Sequence, residues 1–297
     1  MSFARTTILA ALFSLAWGCS SPPPATSSST TSTTGGKTAT PDPKGETPPV
    51  KAGPEGAKPN EKPVPEDPNL GKVSGGTGQS YLLRLNVPAG FKRTYTFTVD
   101  TFIDPRALKA DDPARKTAPE YSTLKLVGEM LVSATSVNNG RWSFINSPKV
   151  LSAVGTGSWK QQADDMLKTA PEAQKYIWDE RMRNVNIDKE EYADPLTNTL
   201  NGVLPKDPVM VGSTWSYKPF PKATVLSKVK VEKVETISGI ETLKLNIDTP
   251  SATEGEKSVF LVWIEPKTGF YVRTELHIGG SQKGLVSKND FVQTIKP

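Results

Sequence analysis

The sequence predicts a mainly β (α+β) fold: a curved antiparallel sheet or half-barrel, with a short helical insert covering one face. Three observations predict it. Apolar and polar residues alternate with period two through most of residues 81–150 and 209–295. Turn-forming pairs, Asn139-Gly140 and Ser238-Gly239, punctuate those stretches. Between them, over residues 158–202, the apolar spacing becomes helical.

Taken in order, Tyr81, Leu83, Leu85 and Val87 alternate with Leu82, Arg84 and Asn86, the pattern of a half-buried strand. Pro88-Ala89-Gly90 turns the chain. Phe91, Tyr95, Phe97 and Val99 then continue, opposed by Lys92, Thr94, Thr96 and Thr98. Residues 104–119 are polar and contain prolines, so they read as a loop. A long strand follows with Leu124, Leu126, Gly128, Met130 and Val132 on one side. Asn138-Asn139-Gly140 makes a hairpin turn because Asn and Gly tolerate positive φ, and residues 141–150 return with Trp142 and Phe144 inward.

The middle reads as helical. Ser158 with Gln161 forms a capping box, and Trp159, Ala163, Met166, Leu167 and Ala170 share one helical face. Thr169 with Glu172 opens a second helix bearing Ala173, Tyr176 and Ile177. Asp194-Pro195 supplies an N-cap and a first-turn proline for a third, with Leu196 and Leu200 inward and Gly202 at its end.

Strands resume over residues 209–217, and Val225, Val229 and Val231 alternate with Lys228, Lys230 and Glu232. Ser238-Gly239 turns the chain into Leu243, Leu245 and Ile247. Residues 259–264 are six apolar residues in succession, where an antiparallel strand with one wet face should alternate. Both faces of this strand are therefore expected to be covered. One cover is the core; the other is the helical insert, an apolar ligand, or both. Glu265-Pro266-Lys267-Thr268-Gly269 turns it back into residues 270–278, and residues 291–295 are expected to close the sheet. Trp142, Trp215, Phe260, Val262 and Trp263 form the set that would line an apolar pocket or pack as plain core.

Two segments precede the sheet, which divides the chain into residues 1–18, 19–78 and 79–297. Arg5, an apolar run over residues 6–15 and a small-residue exit have the order of a secretory signal, and the run is too short to span a bilayer. Residues 20–78 contain no Phe, Trp or Tyr, hold twelve of the 26 prolines, and balance six Lys with six Asp/Glu. Such a stretch buries too little apolar surface to offset its ordering entropy, so it reads as a disordered tether reaching about 40 Å as a flexible coil.

Composition excludes several chemistries. Cys19 is the only cysteine, so no intramolecular disulfide forms and the exported domain depends on its core. The net charge is +5; without Arg5, 35 basic side chains face 31 acidic ones, spread along the chain, so no nucleic acid partner is expected. The single histidine, His277, shares a strand side with Arg273 and Glu275, opposite Val272, Leu276 and Ile278, and reads as solvated. A His-rich zinc site cannot be assembled, and there is no Gly-x-Ser-x-Gly elbow for a hydrolase triad. Asp111-Asp112, Asp164-Asp165 and Glu190-Glu191 are adjacent pairs whose side chains diverge, which is not an acid/base geometry. Asn184, Asn186 and Asp188 start like a calcium loop, but Lys189 stands where glycine is required. No catalytic residue, metal or cofactor is expected.

Leu15-Ala16-Trp17-Gly18-Cys19 resembles a lipobox, which implies cleavage before Cys19 and attachment of diacylglycerol to its thiol. An ordinary secretory signal with an incidental cysteine is the plainer alternative. The tether, Val211-Gly212-Ser213-Thr214-Trp215 and the hairpin from Trp263 to Gly269 followed by Arg273 resemble bacterial lipoproteins of domain-of-unknown-function type. The last hairpin is also similar to the half-barrel of periplasmic lipoprotein carriers and mycobacterial lipid-transport lipoproteins. That resemblance implies a curved sheet with a helical lid over an apolar cavity, and no catalytic residues. Membrane attachment through Cys19 in the cell envelope follows, and Ser20 after it is compatible with outer-membrane delivery in a cell with two membranes. Three functions stay open: binding a lipid or other apolar ligand, acting as an envelope interaction or structural module, and a carboxylate-based envelope hydrolase.

Overall fold

The computed structural model describes residues 71–104, 106, 121–185, 200–218, 226–250, 256–282 and 285–297. Among these residues, period-two alternation becomes twelve strands. The first six are β1 (Thr77–Tyr81), β2 (Lys92–Asp104), β3 (Ser122–Asn138), β4 (Arg141–Gly155), β5 (Gln174–Asp179) and β6 (Val209–Val211). The rest are β7 (Thr214–Tyr217), β8 (Ser227–Ile237), β9 (Ile240–Asp248), β10 (Glu256–Ile264), β11 (Tyr271–Gln282) and β12 (Leu285–Ile295). Ten form one open antiparallel sheet in the order β5-β4-β3-β2-β12-β11-β10-β9-β8-β7; β1 pairs with β6 apart from it.

All neighbours in the large sheet but one are consecutive in the chain. The exception is β12 with β2, paired from Val286↔Asp104 to Ile295↔Tyr95. This seam joins two meanders, so the last strand, expected to close the sheet, lies in the middle of an open one. The two turn pairs behave as their chemistry requires: Asn139 and Gly140 have φ of 50° and 70°, Ser238 and Gly239 of 49° and 79°.

The helical region departs most from expectation. One α-helix, α1 (Lys160–Lys168), follows a 3-10 turn over Gly157–Trp159. Ser158 does not cap it, because its backbone N–H and hydroxyl are engaged with the Ser122 hydroxyl. Gln161 instead bonds Asp165 one turn on. Trp159, Ala163 and Met166 are buried, but Leu167 and Ala170 are exposed. The helix lies against the end of β4, where a Cβ on Gly155 would fall 2.3 Å from the Trp159 carbonyl. The second expected helix is strand β5. Trp142↔Trp178 and Phe144↔Tyr176 pair across β4 and β5, and stacking of Phe144 on Tyr176 at 5.5 Å outweighs local helix preference. Of the third helix, residues 194–199 lie outside the described residues; Leu200 is buried and Gly202 has φ of 77°.

Residues 81–87 are a second correction. Tyr81, Leu83, Leu85 and Val87 are buried as the alternation requires, yet residues 82–88 belong to no strand. They run as a strap: Leu85 N–H donates to the Glu180 carbonyl and Asn86 N–H to the Thr268 carbonyl. Gly269 admits the strap, since a Cβ there would sit 2.0 Å from the Arg84 carbonyl oxygen. Burying Leu83, Leu85 and Val87 contributes about 2 kcal/mol each, which holds the strap without a ladder. The tether boundary also moves. Gly71 donates to Ser216, Ser74 pairs with Thr214, and Thr77 pairs with Val211, so residues 71–78 are ordered against β6 and β7. The expected strand over 209–217 is divided by Gly212 (φ 86°) and Ser213, whose hydroxyl donates to the Gly75 carbonyl.

Candidate functional site

The inner face of the sheet is built from cross-strand rows. One runs from Leu126 through Val99, Phe291, Leu276 and Phe260 to Ile247, each the register partner of the next. Val229 and Trp215 extend it to the edge. The adjacent row runs from Gly128 through Phe97, Gln293, Thr274 and Val262 to Leu245. Gly128 is required there, because the Phe97 ring lies where its Cβ would be, 2.3 Å from Cζ.

In the middle of that second row two polar side chains interrupt the apolar floor. Gln293 and Thr274 are both 0% exposed, and among the described residues neither the Gln293 amide nor the Thr274 hydroxyl has a hydrogen-bond partner. Leaving such groups unsatisfied costs about 1–3 kcal/mol each, so a sequence selected for stability alone would place aliphatics here. A third orphan, Trp178 Nε1, sits in a different place, within the ring cluster of Phe144, Tyr176 and Phe270.

The rows on either side are satisfied. Toward the β10–β11 turn, Arg93 donates to the Tyr271 carbonyl at 3.0 Å and to Glu265 Oε2 at 2.7 Å. Tyr95 donates to the same carbonyl at 2.6 Å, and burial pushes its phenol well above the ordinary range, so it stays a donor. Toward the opposite end, Thr101 donates to Asn289 Oδ1 at 2.8 Å.

Of the residues expected at a pocket, Phe260 and Val262 lie on these two rows, and Trp215 ends the first with its Nε1 donating to the Val203 carbonyl. Trp142 is buried in the other meander, donating to the Val87 carbonyl at 2.7 Å. Trp263 is on the opposite face and is 6% exposed. Lys244 and Arg273 lie over its ring at 5.3 and 5.2 Å, and its Nε1 donates to Glu235. The long stems of charged residues shield the indole while their heads stay wet. Val259, on the same face, is 43% exposed, so the expectation of two covered faces fails at that end of residues 259–264.

His277 is on the outer face as expected, with Nδ1 2.9 Å from Asp290 and Nε2 3.5 Å from Glu275. Cys19 lies outside the described residues, as do Asp111, Asp112, Asn186, Asp188, Lys189, Glu190 and Glu191. Among the described residues no group of three or more His, Cys, Asp or Glu side chains is placed to hold a metal ion. No described helix is long and apolar enough to cross a membrane. Sequence reasoning missed Gln293 and Thr274, although the signal was present. Thr274 is in phase with Val272, Leu276 and Ile278, and Gln293 with Phe291 and Ile295, so both are polar residues at inward positions.

No family model matches the chain, and no curated protein matches it. Among solved structures the chain is similar to a DUF1329 family protein from Desulfovibrio piger ATCC 29098, at 8% identity, covering 68% of this chain and 84% of that one with a TM-score of 0.16. A likeness that faint carries no argument about fold or function.

Proposed function

We propose that the chain is a lipid-anchored, non-enzymatic protein of the cell envelope that binds a lipid or another apolar molecule on the inner face of its sheet. The observation that carries this reading is the Gln293–Thr274 couple, buried without partners inside two apolar rows. A buried polar group without a partner is costly, and a ligand that supplies the missing hydrogen bonds offsets that cost. The anchor would be Cys19, which leads into the proline-rich segment before the sheet.

Full-length protein titrated with a neutral environment-sensitive dye should show saturable binding. Leu276→Trp, which fills the inner face, should abolish it, whereas Val259→Trp on the outer face should not. Equal binding by both folded variants would end the proposal. For the anchor, Cys19→Ser should move the protein from the membrane to the soluble fraction; unchanged membrane association would exclude lipidation there.

An envelope interaction module is the second reading. Val127, Leu151 and Val154 favour it, because they leave exposed apolar surface on β3 and β4.

A further inference from the structure

Gln293 and Thr274 also constrain what the polar end of a bound amphiphile carries. From their chemistry we infer that this head is neutral and both donates and accepts hydrogen bonds. An amide or alcohol on an aliphatic chain is the class that fits. The inference rests on the reading of the inner face as a binding site and adds head-group chemistry to it.

The chemistry follows from the two side chains. A glutamine amide offers donors and an acceptor, and a threonine hydroxyl offers one donor and two lone pairs. Their register partnership on β12 and β11 puts them side by side, and Phe97 and Val262 bound them in the same row. A head that only accepts would leave the Gln293 carbonyl oxygen unpaired, and one that only donates would leave its N–H groups unpaired. A charged head is disfavoured because a buried ion needs a counter-charge. Arg93, two rows further along β2, has its guanidinium engaged by Glu265 and the Tyr271 carbonyl.

The test uses the full chain with Cys19→Ser in detergent-free buffer, titrated with decanamide, decanol, decanoate at pH 8, and decane, each read by displacement of the neutral dye. Decanamide and decanol are expected to compete at least tenfold better than decanoate and decane. Gln293→Leu combined with Thr274→Val should cut the preference for decanamide over decane at least tenfold and raise the melting temperature. Dye binding with no preference among the four compounds would overturn the inference and leave the binding site standing. No saturable dye binding would overturn the site itself. An unchanged preference for decanamide in the folded double variant would also contradict a head-group role.

Discussion

Arg93 and Gln293 face the same interior from paired strands, β2 and β12, but their polar groups end differently. Arg93 gives its donors to Glu265 and the Tyr271 carbonyl, and Thr268 donates to the same Glu265 oxygen. Arg93, Tyr95, Thr268 and Glu265 are all engaged in that cluster, and its effect is to pin the β10–β11 turn to β2. The Gln293 amide, two rows away, has no hydrogen-bond partner among the described residues. The difference teaches how to separate two uses of buried polarity. A satisfied cluster specifies the fold and should resist substitution. An unsatisfied one burdens the fold and should improve it when removed.

The first way to break the comparison is at Arg93. Arg93→Met would leave Glu265, whose side chain is only 15% exposed, without its counter-charge, and should cost about 3–5 kcal/mol in urea unfolding. A cost below about 1 kcal/mol would mean that the cluster is not structural. Gly269→Ala comes next. It places a Cβ against the Arg84 backbone at φ of 63° and should cost about 2 kcal/mol, because the turn carrying Glu265 and the strap must separate.

Much of this arrangement was legible before any coordinates. The alternation at Leu124, Leu126, Met130 and Val132, the turns at Asn139-Gly140 and Ser238-Gly239, and the hairpin through Gly269 all appear where their residues imply. Local chemistry decides those elements, so local reading finds them. Tyr176 misled because its burial is set by β4, a partner distant in sequence, and helical spacing imitated it. Leu83 and Leu85 showed burial correctly but not ladder membership, since a strap and a strand alternate alike. The apolar run over residues 259–264 overstated coverage at Val259, which is exposed, while Trp263 on the same face is shielded by Lys244 and Arg273. Phe260, Val262 and Trp215 drew notice because they are apolar, whereas Gln293 and Thr274 on the same inner face are polar and did not.

The sign of the effect reverses at the unsatisfied couple. Gln293→Leu and Thr274→Val should each stabilise the protein by about 1 kcal/mol, read as a higher urea midpoint at unchanged slope. Destabilisation by either change would put the couple in the same structural class as Arg93.

The smallest effect sharpens the comparison on the wet face. Lys244 and Asn246 bond Glu232 and hold its carboxyl below the ordinary value of 4.5. A depressed folded-state pKa gives stability that is present above pH 4.5 and lost as pH falls through the lower folded value. With a side chain 30% exposed, Glu232→Gln should cost only a few tenths of a kcal/mol at neutral pH. That cost should shrink below pH 4.5 in pH-dependent unfolding curves. A cost independent of pH would remove the electrostatic explanation.

The most direct measurement is a high-resolution crystal structure of the protein purified from the cells that produce it, inspected between Gln293 and Thr274. Elongated density is predicted along the inner face, with a polar group within about 3 Å of the Gln293 amide. A single water bonded to both side chains, with the inner face otherwise filled by protein, would contradict ligand binding.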